Sequence, residues 1–261
     1  MLPAKQYNYT RIAPTPSGYL HLGNVLSFAV TACLAQKHHA KILLRIDDLD
    51  QQRVNRDYVQ DIFDTLDFLQ IPWHNGPRNY DEYKSEYSQL HRMEMYQKAL
   101  DQLKDAGKLF ACTCSRAQLA EHDAYPGTCR NKALPFEADN TCWRLQTDNV
   151  LPVTVNTITG ELITALPLQM RDVIVRKKDG FPAYQLASVL DDIYYNIDLS
   201  GLTNGVIRSD KYKGEAWKLL RVSIRDDDKE QLWFSWEVFG DRLSNYMHCL
   251  PIHEDIVMWQ G

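Results

Sequence analysis

The chain has 261 residues, with 29 Lys+Arg against 34 Asp+Glu, a net charge of -5 and 44% hydrophobic residues. These fractions are near the average for globular proteins. They argue against a disordered, fibrous or membrane-embedded chain, and the length can bury a sizeable core in one large domain or two small ones. The acidic balance argues against a generally basic nucleic-acid coat but leaves room for a local basic groove, because phosphate binding depends on where charges sit.

Met1 to Gln6 carries no apolar run of signal type, and the mostly apolar stretch from Val25 to Ala35 is interrupted by Ser27 and Thr31 and too short to span a bilayer. Six cysteines without a secretory feature read as free thiols or metal ligands, so the expectation is a cytoplasmic protein with no membrane partner. Tyr7 to Ala13 is strand-like and runs into Pro14-Thr15-Pro16-Ser17-Gly18, where two prolines and a glycine forbid regular structure. A helix follows from about Gly23 to His38 and a strand over Lys41 to Ile46, a strand–loop–helix–strand unit typical of a parallel sheet.

Val54, Tyr58, Val59, Ile62, Phe63, Leu66 and Leu69 recur at helical spacing, and the segment from Ile71 to Pro77 breaks that helix. Tyr83, Tyr87, Leu90, Leu100 and Leu103 mark another helix, which Gly107 can cap. From about Leu109 to Pro182 helical periodicity is lost, three cysteines fall close together, and β-type runs occur at Val153 to Ile158 and Asp172 to Arg176. This stretch reads as an inserted module. Tyr184 to Leu190 and Trp217 to Val222 read as helical, with a strand near Gly205 to Arg208 between them, and Asp226-Asp227-Asp228 as a solvated turn.

The chemistry concentrates in two places. In the stretch from Arg11 to Asn24, a strand enters a constrained loop and His21, Gly23 and Asn24 sit at a helix N-terminus, where free N–H groups and the helix dipole favour phosphate. His21 can donate to phosphate oxygens as charge builds in a transition state; a bare His-x-Gly-Asn would read only as an ordinary loop with a surface histidine. In the insert, Cys112, Cys114 and Cys129 can close on one tetrahedral Zn²⁺, with Tyr125, His122 or Cys142 as candidates for the fourth place. Spacing alone allows three free thiols equally well.

The string Arg11-Ile12-Ala13-Pro14-Thr15-Pro16-Ser17-Gly18-Tyr19-Leu20-His21-Leu22-Gly23 resembles the HIGH signature of class I aminoacyl-tRNA synthetases in its glutamyl form. Arg45-Ile46-Asp47-Asp48-Leu49-Asp50 resembles that group's Arg-Ile-Glu-Asp-x-Asp segment, and Tyr184-Gln185-Leu186-Ala187-Ser188-Val189-Leu190-Asp191-Asp192 its Tyr-x-Leu-Ala-x-Val-Val-Asp-Asp segment. The motifs stand in the family's order and cover roughly the first 210 residues. The cysteine pattern, Cys-x-Cys followed by Tyr-x-x-x-Cys, is similar to the zinc site of the short glutamyl-queuosine tRNA(Asp) synthetases.

The resemblance implies an α/β fold: a Rossmann-like parallel sheet, residues 1–108 and 184–261, split by a zinc-bearing α+β acceptor-binding module, residues 109–183. It implies a ligase that converts ATP and glutamate to glutamyl-adenylate with Mg²⁺ and passes the glutamyl group to a tRNA, in the short enzymes a tRNA(Asp) carrying queuosine. His21 and Asn24 would be catalytic, and Pro14, Ser17, His21, Gly23 and Asn24 would hold ATP. Arg11, Thr15, Asp47, Tyr184 and Arg208 would hold the amino acid. Cys112, Cys114, Tyr125 and Cys129 would hold a structural zinc, and a monomer is expected.

Three departures qualify these expectations. Asp47 is one methylene shorter than the family's glutamate, which leaves it about an ångström or more back from a substrate ammonium. The chain between Asp192 and Gly201 is longer than the family loop. Tyr246 to Pro251 resembles the strand before the family's lysine–serine loop, yet the sequence reaches Gly261 with no lysine after Lys229. The expectation is therefore slow or absent adenylation unless Lys211 or Lys213 substitutes. A paralogue that binds nucleotide, amino acid or RNA without turnover is the second reading, and a nucleotidyltransferase acting on a small acceptor the third.

Overall fold

The computed structural model describes residues 7–147, 152–157 and 160–199, together with the backbone of three strands between 218 and 251. β1 (Tyr9–Ile12), α1 (Leu22–Lys37) and β2 (Lys41–Leu44) form a parallel βαβ unit, with Tyr9 opposite Lys41 and Ile12 opposite Leu44. The sheet extends on both sides. Asn75 bridges Leu43 in parallel on one edge, and on the other the N–H groups of Asp198 and Leu199 donate to the Tyr9 carbonyl at 3.1 and 3.0 Å. Asp198 fixes this return, since its carboxylate accepts from the Asn8 and Tyr9 N–H groups at 2.9 and 2.8 Å.

Gly76, beside the Asn75 bridge, sits at φ 104°, and a Cβ there would lie 2.2 Å from the Leu44 carbonyl oxygen. Only glycine fits a position that combines a left-handed backbone with so close an approach.

α2 (Arg56–Phe68) is capped by Asn55, whose side chain accepts from the Asp57 N–H, and buries Val59, Ile62, Phe63 and Leu66 at helical spacing. These residues pack with Ile12, Phe28, Ile42, Leu44 and Trp73 in the main core. The single helix expected from Tyr83 to Leu103 is broken. A short helix, α3 (Tyr80–Glu82), runs into a wide turn at Tyr83–Tyr87, a tight turn at Gln89–Arg92, and then α4 (Met93–Asp105). The break falls at Ser88, whose hydroxyl donates to Asp48 at 2.5 Å while the adjacent Gln89 N–H donates to the same carboxylate at 2.8 Å. Tertiary hydrogen bonds to a buried charge override the local helical pattern here.

In the insert, β3 (Leu109–Cys112) leads to a one-turn helix, α5 (Arg116–Leu119), then to β4 (Cys142–Leu145), the hairpin strands β5 (Val153–Thr157) and β6 (Gly160–Thr164), and β7 (Ile174–Arg176). β3, β4 and β7 pair antiparallel in the order β3-β4-β7. The chain then enters α6 (Tyr184–Tyr194) and returns to β1.

Of the helix expected over Trp217 to Val222, Trp217 lies outside the described residues and Lys218 to Val222 is strand. β8 (Lys218–Asp227) pairs antiparallel with β9 (Gln231–Phe239), which pairs with β10 (His248–Pro251). The reason is the alternation of Leu220, Val222 and Ile224 with Arg221, Ser223 and Arg225, which has a strand's period of two. Asp226 and Asp227 end that strand instead of forming a turn. Among the described residues no helix is long and apolar enough to cross a membrane.

Candidate functional site

The parallel ladder continues past the ends of β1 and β2. The Arg45 N–H donates to the Ile12 carbonyl and the Asp47 N–H to the Pro14 carbonyl, each at 2.9 Å. The proline loop and the Arg45–Asp50 segment are thereby laid side by side at the C-terminal edge of the strands, where ligands bind in open α/β sheets. Within the loop, Pro14 is buried, Thr15 is half-buried with its carbonyl accepting from the Ser17 N–H, and Ser17 is exposed. Ser17 lines an open cavity of about 620 Å³ together with Arg53 and Arg56. No role for these two guanidiniums was read from the sequence.

His21 is the N-cap of α1. Its Nδ1 accepts from the Gly23 N–H at 3.1 Å, and Asn24 Oδ1 accepts from the His21 N–H at 3.1 Å, a reciprocal capping box. Because Nδ1 accepts, the hydrogen of the neutral ring lies on Nε2, at the exposed end of the side chain. The imidazole is therefore pre-set as a donor at a helix N-terminus. A Cβ on residue 23 would lie 2.9 Å from His21 Cε1, so Gly23 leaves room for the histidine ring itself as well as for any ligand.

Behind the loop lies a cluster of guanidiniums and carboxylates. Arg45 is fully buried and holds Asp47 through two bonds, Nε to Oδ1 at 2.6 Å and Nη2 to Oδ2 at 3.0 Å. Its Nη1 donates to Asp192 Oδ1 at 2.6 Å, and the same oxygen accepts from Arg11 Nε at 2.6 Å. Asp191 accepts from Arg92 Nε at 2.8 Å, from the Tyr96 hydroxyl at 2.6 Å and from Gln89 Nε2 at 2.9 Å. Asp48 is satisfied by uncharged donors alone, among them the Tyr83 and Ser88 hydroxyls.

Burial opposes the Arg45 charge, but Asp47, Asp192 and Asp191 outweigh it and hold the guanidinium protonated. Burial also pushes the Asp47 carboxyl up from its ordinary value, against the pull of Arg45. The bidentate geometry is that of an ionised pair.

The structure thus brings Arg11, Thr15, His21, Gly23, Asn24 and Asp47 to one edge of the sheet. Tyr184 is exposed at the first turn of α6, the helix whose other end supplies Asp191 and Asp192. Arg208, Lys211 and Lys213 lie outside the described residues. Asp191 and Asp192 were visible in the third motif, but their partners were not, because Arg11, Arg45 and Arg92 are far away in the chain. The spacing of Tyr184, Ser188 and Asp192, four residues apart on one helix, was the available signal.

In the insert, the thiols of Cys112, Cys114 and Cys129 lie within 4.8 Å of one another. The Cys114 and Cys129 sulfurs are 3.6 Å apart, close to the edge of about 3.8 Å of a tetrahedron with 2.3 Å metal–sulfur bonds. The Tyr125 hydroxyl accepts from the Cys129 N–H at 2.8 Å and is hydrogen-bonded to Cys112. The tyrosine side chain packs against the same cysteine cluster. Burial pushes the Cys112 thiol up, but hydrogen bonds from Tyr125 and Arg144 outweigh it and bring it down to about 7. Burial and the neighbouring thiols push Cys114 up to about 11. The donor set fits a soft, four-coordinate cation. Cys142 instead donates to the Cys112 carbonyl, 3.4 Å from its sulfur, and His122 is exposed.

A βαβ unit with a histidine-capped helix and the preceding loop at the carboxyl edge of the sheet is a Rossmann-like arrangement. Two solved glutamate tRNA ligase structures share it. One, from Elizabethkingia anophelis, superposes with a TM-score of 0.61 at 22% identity, covering 75% of this chain and 44% of that one. The other, from Elizabethkingia meningosepticum in complex with its amino acid, gives a TM-score of 0.60 with 43% of that chain covered.

Residues 9–213 match the family described as tRNA synthetases class I (E and Q), catalytic domain, and the chain belongs to that family. Among curated relatives it is similar to the glutamyl-Q tRNA(Asp) synthetases of Photobacterium profundum, 36% identical over 72% of this chain and 57% of the relative, and of Dechloromonas aromatica, 34% identical over 72% and 62%. The glutamate–tRNA ligase of Clostridium acetobutylicum is 29% identical over 94% of this chain and 50% of its own length. The chain thus spans about half to three-fifths of the relatives it matches.

Proposed function

We propose that the protein activates glutamate with ATP and transfers the glutamyl group to a tRNA nucleoside, in the manner of the glutamyl-queuosine tRNA(Asp) synthetases. The observation that carries this reading is the convergence of three distant segments, Arg11–Asn24, Arg45–Asp50 and Tyr184–Asp192, on one guanidinium–carboxylate cluster beside a pre-set histidine donor. Membership of the glutamate and glutamine family supports it.

In the proposed chemistry a glutamate carboxylate oxygen attacks the α-phosphorus of ATP, and pyrophosphate leaves with the bonding electron pair. The Nε2–H of His21 donates to phosphate oxygens as their charge grows, while Pro14, Ser17, Gly23 and Asn24 line the nucleotide. Arg11 offers its remaining N–H groups to a substrate carboxylate, with Thr15, Tyr184 and Arg208 around the same ligand. A hydroxyl of the RNA then attacks the acyl carbon, its proton is lost to solvent and AMP leaves. Mg²⁺ would enter with ATP, held by the phosphates.

Residues 1–108 and 184–261 would form the catalytic body and residues 109–183 the acceptor-binding module of a cytoplasmic monomer. Cys112, Cys114, Tyr125 and Cys129 would hold one zinc ion in a structural role, because four protein ligands leave no open position for chemistry. The test is glutamate-dependent ATP–pyrophosphate exchange without tRNA, run on the wild type beside His21→Ala with zinc quantified on the same sample. Exchange on the wild type that falls with the variant, and about one zinc per chain, are expected. Tight glutamate or ATP binding with no exchange would select a binding paralogue instead.

A further inference from the structure

Arg144 is a buried cation that no carboxylate balances. It lies in β4, the middle strand of the insert's sheet, opposite Phe110, while Cys142 on the same strand lies opposite Cys112. Residues two apart on a strand share a face, so the guanidinium stands on the face that carries Phe110, Cys112 and Cys142. Only 5% of the residue is exposed. Its Nη1 donates to the Asp172 carbonyl at 2.8 Å, and its Nε is buried with no partner among the described residues. The Asp172 carboxylate is instead committed to Arg130 and to the Thr147 N–H and hydroxyl. Among the described residues no carboxylate forms an ion pair with Arg144. A charge so deeply buried needs an opposite charge beside it.

What stands beside it is the cysteine cluster. The Arg144 Cζ lies 3.7 Å from the centre of the Tyr125 ring, a stacked guanidinium–aromatic contact, and the guanidinium also hydrogen-bonds Cys112. Thiols must be ionised to hold a metal. A divalent cation on Cys112, Cys114 and Cys129 with a neutral phenol therefore leaves one negative charge, which one guanidinium balances. The neighbouring cations are placed differently. Arg130, next to Cys129 in the chain, is paired with Asp172, and Lys178 is exposed and donates to the Thr113 carbonyl at 3.2 Å.

We propose that Arg144 is the counter-charge and positioning residue of the metal site: it balances the negative charge of a divalent cation on three thiolates and fixes the Tyr125 ring against the cysteines. The inference rests on the reading of this cluster as a zinc site. The test is the zinc affinity of the full chain, read by competition with a chromophoric chelator, together with the absorption spectrum of the cobalt(II)-substituted protein. Arg144→Gln removes the charge and keeps a donor for the Asp172 carbonyl. Arg144→Lys keeps the charge and loses the planar group, and Lys178→Gln removes the exposed cation. Circular dichroism checks each fold.

Arg144→Gln should weaken zinc binding by about 10- to 100-fold, the usual effect of removing an outer partner of metal ligands, and Arg144→Lys by less than about tenfold. Lys178→Gln should change it by less than about threefold, because water screens an exposed charge. The tetrahedral cobalt bands and the thiolate charge-transfer absorption should persist in all three, which shows that the ligands themselves are intact. An unchanged affinity in Arg144→Gln would overturn the inference. Equal losses in Arg144→Gln and Arg144→Lys would also overturn it, since shape and not charge would then matter. If Arg144→Gln does not fold, a loss beyond about tenfold in Arg144→Lys overturns it alone. A wild type that holds neither zinc nor cobalt would overturn the reading of the cluster as a metal site, an outcome distinct from any result with the variants.

Discussion

His21 holds two positions at once, and substitution can separate them. Its Nδ1 accepts from the Gly23 N–H at 3.1 Å and so caps α1, while Nε2–H faces outward toward the proposed phosphate site. Loss of an N-cap acceptor costs about 1 kcal/mol, which for a domain of this size lowers Tm by about 2–4 °C. Loss of a donor aimed at developing charge costs about 10²–10³ in rate. His21→Ala removes both and should show both effects. Serine is among the favoured N-cap residues, so His21→Ser should recover most of the lost Tm and none of the lost exchange rate. Thermal unfolding and ATP–pyrophosphate exchange on the three proteins decide the matter. Recovery of exchange together with Tm in His21→Ser would show that the histidine serves only as a cap and would refute the assignment of Nε2 to phosphate.

Three further outcomes test the scaffold. Asp191→Ala leaves the Tyr96 hydroxyl and the Gln89 amide without this acceptor and strips the buried Arg92 guanidinium of its carboxylate, with only the Tyr87 and Ser88 carbonyls and the Tyr195 hydroxyl remaining to it. It should cost about 3–5 kcal/mol in urea unfolding, the usual range for breaking a buried charge pair, and a loss under about 1 kcal/mol would contradict the network. Gly76→Ala drives a Cβ to 2.2 Å from the Leu44 carbonyl at φ 104° and should lower stability by about 2 kcal/mol or more, read as a fall in the urea midpoint.

Burial pushes the Asp198 carboxyl up, but N–H donation from Tyr9 and Asn8 outweighs it and holds the group below its ordinary 3.8. A depressed carboxylate contributes stability above its unfolded value and loses it as pH falls through the folded one. Asp198→Asn should therefore flatten the stability loss below about pH 4, and an unchanged acid limb would count against the clamp.

Helices whose apolar residues face one core were legible in the sequence. Val59, Ile62, Phe63 and Leu66 announce α2, and the βαβ unit follows from the order of its patterns. The break at Ser88 was not legible, because it answers to Asp48, forty positions earlier. The six residues from Trp217 to Val222 are too few to show the alternation that runs through β8 as far as Arg225. In the candidate site the motifs identified which residues gather, but not their pairing. Arg45 takes both oxygens of Asp47 through a contact two residues away in sequence, while Asp192 reaches Arg11 across 181 positions. Charge partners depend on which side chains the completed fold leaves open, and that information is absent from local spacing.

The return of the chain to β1 has a consequence for how the molecule comes to exist. Asp198 binds Asn8 across 190 positions, and closing a loop of that length in an unstructured chain costs about 4–5 kcal/mol of entropy. Prior folding of the insert, whose strands pair only with one another among the described residues, shortens the effective loop and lowers that cost. During synthesis the histidine loop emerges first, yet Arg11 stays without its carboxylate partner until α6 has left the ribosome, so the guanidinium–carboxylate cluster is assembled late, when the chain returns to β1.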